Sequence, residues 1–197
     1  HRFPNGPTIK ANHLHWDAPR LFNEIKAGLR KASSSCIING IGIDTWGVDF
    51  ALLDQNDQLI INPFHYRDPQ TIGMMEEVFK KVDQKEIFHR TGIQFMQLNT
   101  LYQLFSLRTT PLLETSKAFL MMPDLFNFWL SGHIANEYTT ATTTQFYNPA
   151  LRNYDQWILS KLGLPVDIYP EIVPPGTILG NLKTRICEET GLDEIPV

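Results

Sequence analysis

The chain has 197 residues, 43% of them hydrophobic and 19% charged, the composition of a globular domain that buries roughly 70% of its unfolded surface. Seventeen Lys and Arg against 21 Asp and Glu leave a net charge of -4, which excludes the basic stripe of a nucleic-acid surface, so no nucleic-acid partner is expected. No window approaches 18 consecutive apolar residues and HRFPNGP lacks the charged-then-apolar order of a signal peptide, so no membrane partner is expected either.

Residues 1–16 read as an edge strand, a loop and a short strand ending at HLHWD. His13 and His15 then share one face, a polar strand face with too few neighbouring ligands for a metal site. Asp17 before Ala18 and Pro19 is a helix start, a capping carboxylate followed by proline in the first turn. Leu21, Ile25 and Leu29 put one apolar stripe on that helix. Ile37, Ile38, Ile41 and Ile43 predict a strand buried on both faces, which would complete a strand–helix–strand crossover of an α/β domain. Cys36 and Cys187 form no metal-binding spacing and are expected to be free, buried thiols of a reducing cytoplasm.

Beyond that predicted strand, Asp44, Thr45, Trp46, Gly47 and Asp49 crowd two carboxylates, a hydroxyl, an indole and a permissive backbone position into six residues. Ligands of open α/β sheets bind outside the carboxyl ends of strands. A polyol needs carboxylate acceptors for its hydroxyls, an aromatic face for its C–H side and close backbone. The same residues also read as packing for Trp46, a turn cap for Asp44 and a bulge for Gly47.

Val48 to Leu53 is strand-like, and Asp54-Gln55-Asn56-Asp57 turns into Leu59-Ile60-Ile61 as a hairpin. In HYRDPQT, Asp68 before Pro69 is a helix cap, and Arg67 has a carboxylate partner or a ligand role open to it. Helices follow over residues 71–81 and through Ile87 to Gly92; Glu76, Glu77, Lys80 and Lys81 on the first are surface ion pairs rather than catalytic carboxylates. Gln97 and Asn99 carry amides able to read hydroxyls, with Asn99 also the N-cap of a helix bearing Leu101, Leu104 and Phe105. Residues 118–122 predict a second buried strand, and Pro123-Asp124 opens an aromatic helix closed by Gly132; Asp124, one residue beyond a strand, is a site candidate as well as a cap. The five threonines of NEYTTATTTQFYN suit an extended or tightly packed segment, their hydroxyls reading sugar or satisfying backbone. Asp155 caps a helix through Leu162, the proline-rich run that follows is a loop into a strand, and a short helix over residues 185–190 leads to EIPV.

The run IGIDTWGVDFALLD, followed by HYRD, TGIQFMQLNTLYQL, MMPDLFNFWLSG and NEYTTATTTQ, resembles the FGGY family of carbohydrate kinases, and DTWGVDF with ATTTQ resembles its rhamnulose branch. The resemblance spans nearly the whole chain. It implies an actin-like ATPase, ribonuclease-H-like α/β fold with a mixed sheet flanked by helices, residues 1–197 being an incomplete amino-terminal lobe. A phosphate-loop strand is expected before residue 1, and the strand with the general base beyond Val197, so no catalytic residue is assigned within the chain. It implies ATP-dependent phosphorylation of L-rhamnulose to L-rhamnulose 1-phosphate by the intact cytoplasmic enzyme, with ATP and Mg2+ bound elsewhere and the chain itself inactive. The sugar-binding residues it implies are Asp44, Thr45, Trp46, Gly47, Arg67, Asp68, Gln97 and Asn99. Another FGGY specificity (fuculose, xylulose or glycerol) and a non-catalytic carbohydrate-binding domain are the alternatives, and a sheet edge left open is expected to favour a homodimer.

Overall fold

In the computed structural model, which describes residues 1–197, the chain opens on an antiparallel hairpin of Thr8–Lys10 (β1) and His13–His15 (β2). Ala11 and Asn12, both at positive φ, make its turn. A return pass widens the hairpin: His65 donates its backbone N–H to Leu14, and Trp16 donates to Pro63. Helix α1 (Ala18–Ser33) follows, with the Asp17 carboxylate accepting from Arg20 N at 3.1 Å and Pro19 in the first turn, as the sequence predicts.

The ladder at the centre of the molecule is Phe50–Leu53 (β3) against Ala118–Met121 (β4), antiparallel, with Phe50 opposite Met121 and Leu53 opposite Ala118. All eight residues are buried, and period-two alternation splits them between two cores. Phe50, Leu52, Phe119 and Met121 face the larger core with Leu101, Tyr102, Leu104 and Phe105. Ala51, Leu53, Ala118 and Leu120 face the smaller one with Trp16, Leu21 and Leu125. The turn expected after β3 forms, through Asp54 N to Gln58 O and Ile60 N to Leu52 O, but the returning Leu59-Ile60-Ile61 makes only an isolated bridge, Leu53 to Leu59, and no strand.

Between the two strands lie Met74–Phe79 (α2), Gln84–Thr91 (α3), Thr100–Ser106 (α4) and Pro111–Thr115 (α5). Helix α2 starts later than periodicity suggests, because Gly73 in the left-handed conformation separates it from the one-turn 3-10 helix Pro69–Thr71 that Asp68 caps. Its Glu77 pairs with Lys80 at the surface, as expected. After β4 come Met122–Ser131 (α6), Asn136–Glu137 (β5), Tyr138–Ala141 (α7), the pair Tyr147–Asn148 (β6) and Asn153–Tyr154 (β7), Gln156–Leu162 (α8), Ile172–Val173 (β8) and Thr184–Thr190 (α9). Helices α3, α6, α8 and α9 all end on left-handed glycines, at 92, 132, 163 and 191. The sheet is present as four two-stranded pieces, one of them the parallel pair β5–β8.

Three expectations are corrected. Residues 37–44 form no strand: the segment has one backbone bond across to another strand-like segment, Ile41 N to Pro196 O, and Ile37 is 89% exposed. Apolar composition does not make a strand where the ladder has no partner, although Ile41 and Ile43 still pack inward. Cys36 is exposed rather than buried, in the serine-rich turn that ends α1, and Cys187 is half-buried; both are free thiols. The threonine segment is helical rather than extended: Thr142, Thr143 and Thr144 each turn a hydroxyl back to the carbonyl three residues earlier, at 2.6–2.8 Å, through α7 and the 3-10 turn Thr142–Thr144.

Candidate functional site

The turn between residues 44 and 49 is built from an unusual backbone. Val48 adopts φ +67°, a conformation β-branched side chains rarely take. Surrounding groups hold it there: Thr143 Oγ1 accepts the Val48 N–H at 3.1 Å, and Thr100 Oγ1 donates to the Val48 carbonyl at 2.7 Å. Asp49 N–H closes the turn on the Gly47 carbonyl at 2.9 Å. Such strain persists only where the surroundings over-determine it, and it clusters at ligand sites. Gly47 also sits close against Thr143: a Cβ there would lie 3.0–3.2 Å from three atoms of the Thr143 side chain, which would have to shift to admit it.

The turn folds the Asp49 carboxylate back to the Nε1 edge of the Trp46 indole. Asp49 is fully buried, and its Oδ2 accepts from Trp46 Nε1 at 2.9 Å, Trp16 Nε1 at 2.5 Å and Tyr66 N at 3.3 Å. Its Oδ1 accepts from Gln103 Nε2 at 2.9 Å. Burial pushes its pKa up to about 6, against the pull of those donors. Trp46 lies against Trp16 with ring centroids 4.2 Å apart, and Trp16 continues to His65 at 4.2 Å and His65 to Tyr66 at 4.4 Å. Burial and the Arg67 charge lower the His65 pKa. The row ends with the exposed Arg67 guanidinium 5.3 Å over the Tyr66 ring.

Asp44 is exposed and lines an adjoining cleft of about 540 Å³ with Gly40, Gly42, Asp124, Asn127 and Thr140. Asp124 is 2% exposed; its Oδ1 accepts the Glu137 N–H at 3.1 Å, and its Oδ2 has no partner. Burial, with the Glu137 charge beside it, raises its pKa to about 8.

Of the remaining sequence-derived site residues, Thr45 lies in this turn, and no hydrogen bond joins Arg67, Asp68, Gln97 or Asn99 to it. Thr45 is half-buried and its hydroxyl donates to the Trp46 carbonyl. Asp68 is 2% exposed, with one oxygen accepting from His13 Nδ1 and Gln70 N and the other from Leu14 N, so it fastens the first hairpin and caps the 3-10 turn. Gln97 is exposed, its amide donating to Thr71 Oγ1 at 3.3 Å. Asn99 occupies the N-cap position of α4 but makes no capping bond, which corrects that reading: its amide is drawn instead to Gln94 O and Gln145 Oε1, at 2.8 and 2.9 Å. The structure brings Trp16, Gln103 and Thr143 to the turn; the sequence marks Thr143 as one of five threonines whose hydroxyls can satisfy backbone, and nothing local marks Trp16 or Gln103. All three lie 30 to 97 positions away from Trp46 and meet the turn only through the fold. Asp49 was visible as a carboxylate of the cluster, but its inward direction was not.

Residues 9–197 match the FGGY family of carbohydrate kinases, N-terminal domain. The chain is 44% identical over 196 residues to a rhamnulokinase of Halalkalibacterium halodurans, covering 98% of this chain and 42% of that protein. It is 42% identical to a rhamnulokinase of Oceanobacillus iheyensis, again covering 98% of this chain and 42% of the relative, so it spans less than half the length of these curated relatives. Among solved structures it is similar to gluconate kinase from Lactobacillus acidophilus, with a TM-score of 0.87 at 18% identity over 98% of this chain and 40% of that one. It is also similar to Plasmodium falciparum glycerol kinase with ADP, with a TM-score of 0.81 at 17% identity over 99% of this chain and 42% of that one. The fold is thus that of the actin-like sugar kinases. With the family matched over all but the first eight residues, the chain belongs to the FGGY family of carbohydrate kinases and carries its N-terminal domain.

Proposed function

We propose that the chain is the sugar-binding part of an ATP-dependent kinase that phosphorylates L-rhamnulose to L-rhamnulose 1-phosphate in the cytoplasm. The observation that carries this reading is the strained 44–49 turn, which presents a half-buried Trp46 face and the Gly47 backbone next to the exposed Asp44 carboxylate. An indole face suits the C–H side of a sugar, and a carboxylate accepts from its hydroxyls. The identity to proteins named rhamnulokinase supports L-rhamnulose as the sugar. Arg67 and Gln97, both exposed, are assigned to the rim of the sugar pocket. Asp68 and Asn99, with their side chains engaged inward, are assigned to shaping its wall.

A kinase of this family needs ATP and Mg2+, which supply the transferred phosphoryl group and neutralise its charge. No residue of this chain is assigned to that group. No three His, Cys, Asp or Glu side chains converge as a metal site, and the left-handed glycines at 92, 132, 163 and 191 terminate helices rather than open a phosphate-binding loop. The role left to these residues is to bind and orient the sugar and to exclude water from one side of it.

The test is ADP release by the full-length protein with Mg-ATP and L-rhamnulose, L-fuculose, D-xylulose or glycerol. Preference for L-rhamnulose by at least tenfold in kcat/KM is expected. Preference for another of the four overturns the specificity, and turnover of none overturns the kinase reading.

A further inference from the structure

We propose that Asp49 is a positioning residue that fixes the plane of Trp46 against the bound sugar, and so sets sugar affinity without touching the ligand. The inference rests on the reading of Trp46 as the sugar platform. Trp46 is half-buried, so one face needs a rigid backing if the other is to receive a ligand. Its ring has two neighbours that define its tilt: Trp16, at 4.2 Å and 39° between planes, and the Asp49 carboxylate on its Nε1. Both restraints converge on Asp49, because the same Oδ2 also accepts from Trp16 Nε1. One fully buried oxygen therefore locks two indoles in mutual register.

The carboxylate is itself fixed. Gln103 Nε2 grips its second oxygen while also donating to the Leu98 carbonyl, which ties the group to the start of α4. The backbone that delivers Asp49 is the turn through Val48, held at positive φ by Thr143 and Thr100. An apolar side chain in the same space would leave the Trp46, Trp16, Tyr66 and Gln103 donors unpaired, whereas the carboxylate gathers all four on one group. The product of the turn is an oriented indole.

The experiment compares Asp49→Leu, Asp49→Asn, Trp46→Phe and Trp46→Ala in the full-length protein by steady-state kinetics with L-rhamnulose, with tryptophan emission recorded alongside. Asp49→Leu keeps volume and removes both acceptors; it is expected to raise KM roughly tenfold with kcat within about twofold, and to shift the emission. Asp49→Asn keeps one acceptor and is expected to fall between it and the parent. Trp46→Phe removes the indole donor from the other end of the bond, so combined with Asp49→Leu it should add less than the product of the two single effects. Fully multiplicative effects overturn the proposal, as does an Asp49→Leu variant with unchanged KM. Where Asp49→Leu fails to fold, an unchanged KM in both Asp49→Asn and Trp46→Phe overturns it. Trp46→Ala separates the two readings: if it leaves KM unchanged, the platform itself is wrong, whereas a raised KM there with no effect at Asp49 rejects the positioning role alone.

Discussion

Asp49 and Asp124 stand at the same end of the β3–β4 ladder, one before its first residue and the other three beyond its last, and they resolve the burial of a carboxylate in opposite ways. Asp49, fully buried, receives four N–H donors, and its pKa rises only to about 6. Asp124, at 2% exposure, receives one, and its pKa rises to about 8. Depth is nearly the same, so the donor set decides: each N–H offered to the ionised form offsets part of the cost of removing it from water. At neutral pH Asp49 is chiefly an ionised acceptor that organises its neighbours, and Asp124 is chiefly a neutral carboxylic acid at the edge of a cleft.

The largest consequence lies at Asp124. A folded-state pKa raised above the unfolded one means that the native chain holds the proton more tightly, so stability is full below about pH 4 and falls as pH rises towards 8. The loss assigned to this side chain is on the order of 6 kcal/mol. Asp124→Asn, which keeps the acceptor for Glu137 N, is expected to abolish that loss, so its stability relative to the parent should grow from about pH 4 to pH 8 and level off above that in urea denaturation. A difference that does not change with pH would show Asp124 to be ionised like any surface carboxylate.

For Asp49 the same sign applies over a narrower window, from about pH 4 to 6, with a loss of about 3 kcal/mol. Gln103→Leu sharpens the comparison by deleting one donor. The Asp49 carboxyl should then titrate at higher pH, towards Asp124, when followed by carbon NMR of the side-chain carboxyl. A midpoint that moves down would mean that the donors are not what separates the two groups.

The smallest effect concerns the turn that presents Asp49. Gly47→Ala forces a Cβ against Thr143 at 3.0–3.2 Å and is expected to cost about 1 kcal/mol. Thr143→Ser, which removes the methyl but keeps the hydroxyl on Val48 N, should recover part of it in thermal unfolding. Simple additivity of the two changes would locate the strain elsewhere.

Much of the fold is legible along the chain because its signals are local. Asp17, Asp68 and Asp155 cap helical turns where their positions predict, since a short carboxylate reaches the backbone N–H two or three residues on. Glycines 92, 132, 163 and 191 close helices because a left-handed residue is cheapest without a Cβ. The apolar runs of β3 and β4 declare two buried strands, and the chemistry-bearing turn is visible as a cluster of unlike polar groups.

Tertiary structure decided the rest. Residues 37–44 and β3 are both apolar runs, yet only β3 has a partner to pair its backbone, and no composition reveals which run will find one. Asn99 sits at the N-cap position without capping, its side chain turned so that Nδ2 donates to Gln145, 46 positions away. Likewise Asp44 and Asp49 look equivalent in sequence, five residues apart. One faces solvent and the other becomes a buried anchor because Trp16, Tyr66 and Gln103 arrive from three distant segments to donate to it. Sequence by itself determined which short-range bonds the backbone makes, and packing alone determined which carboxylates are buried and what they hold, because desolvation depends on neighbours that only the folded chain assembles.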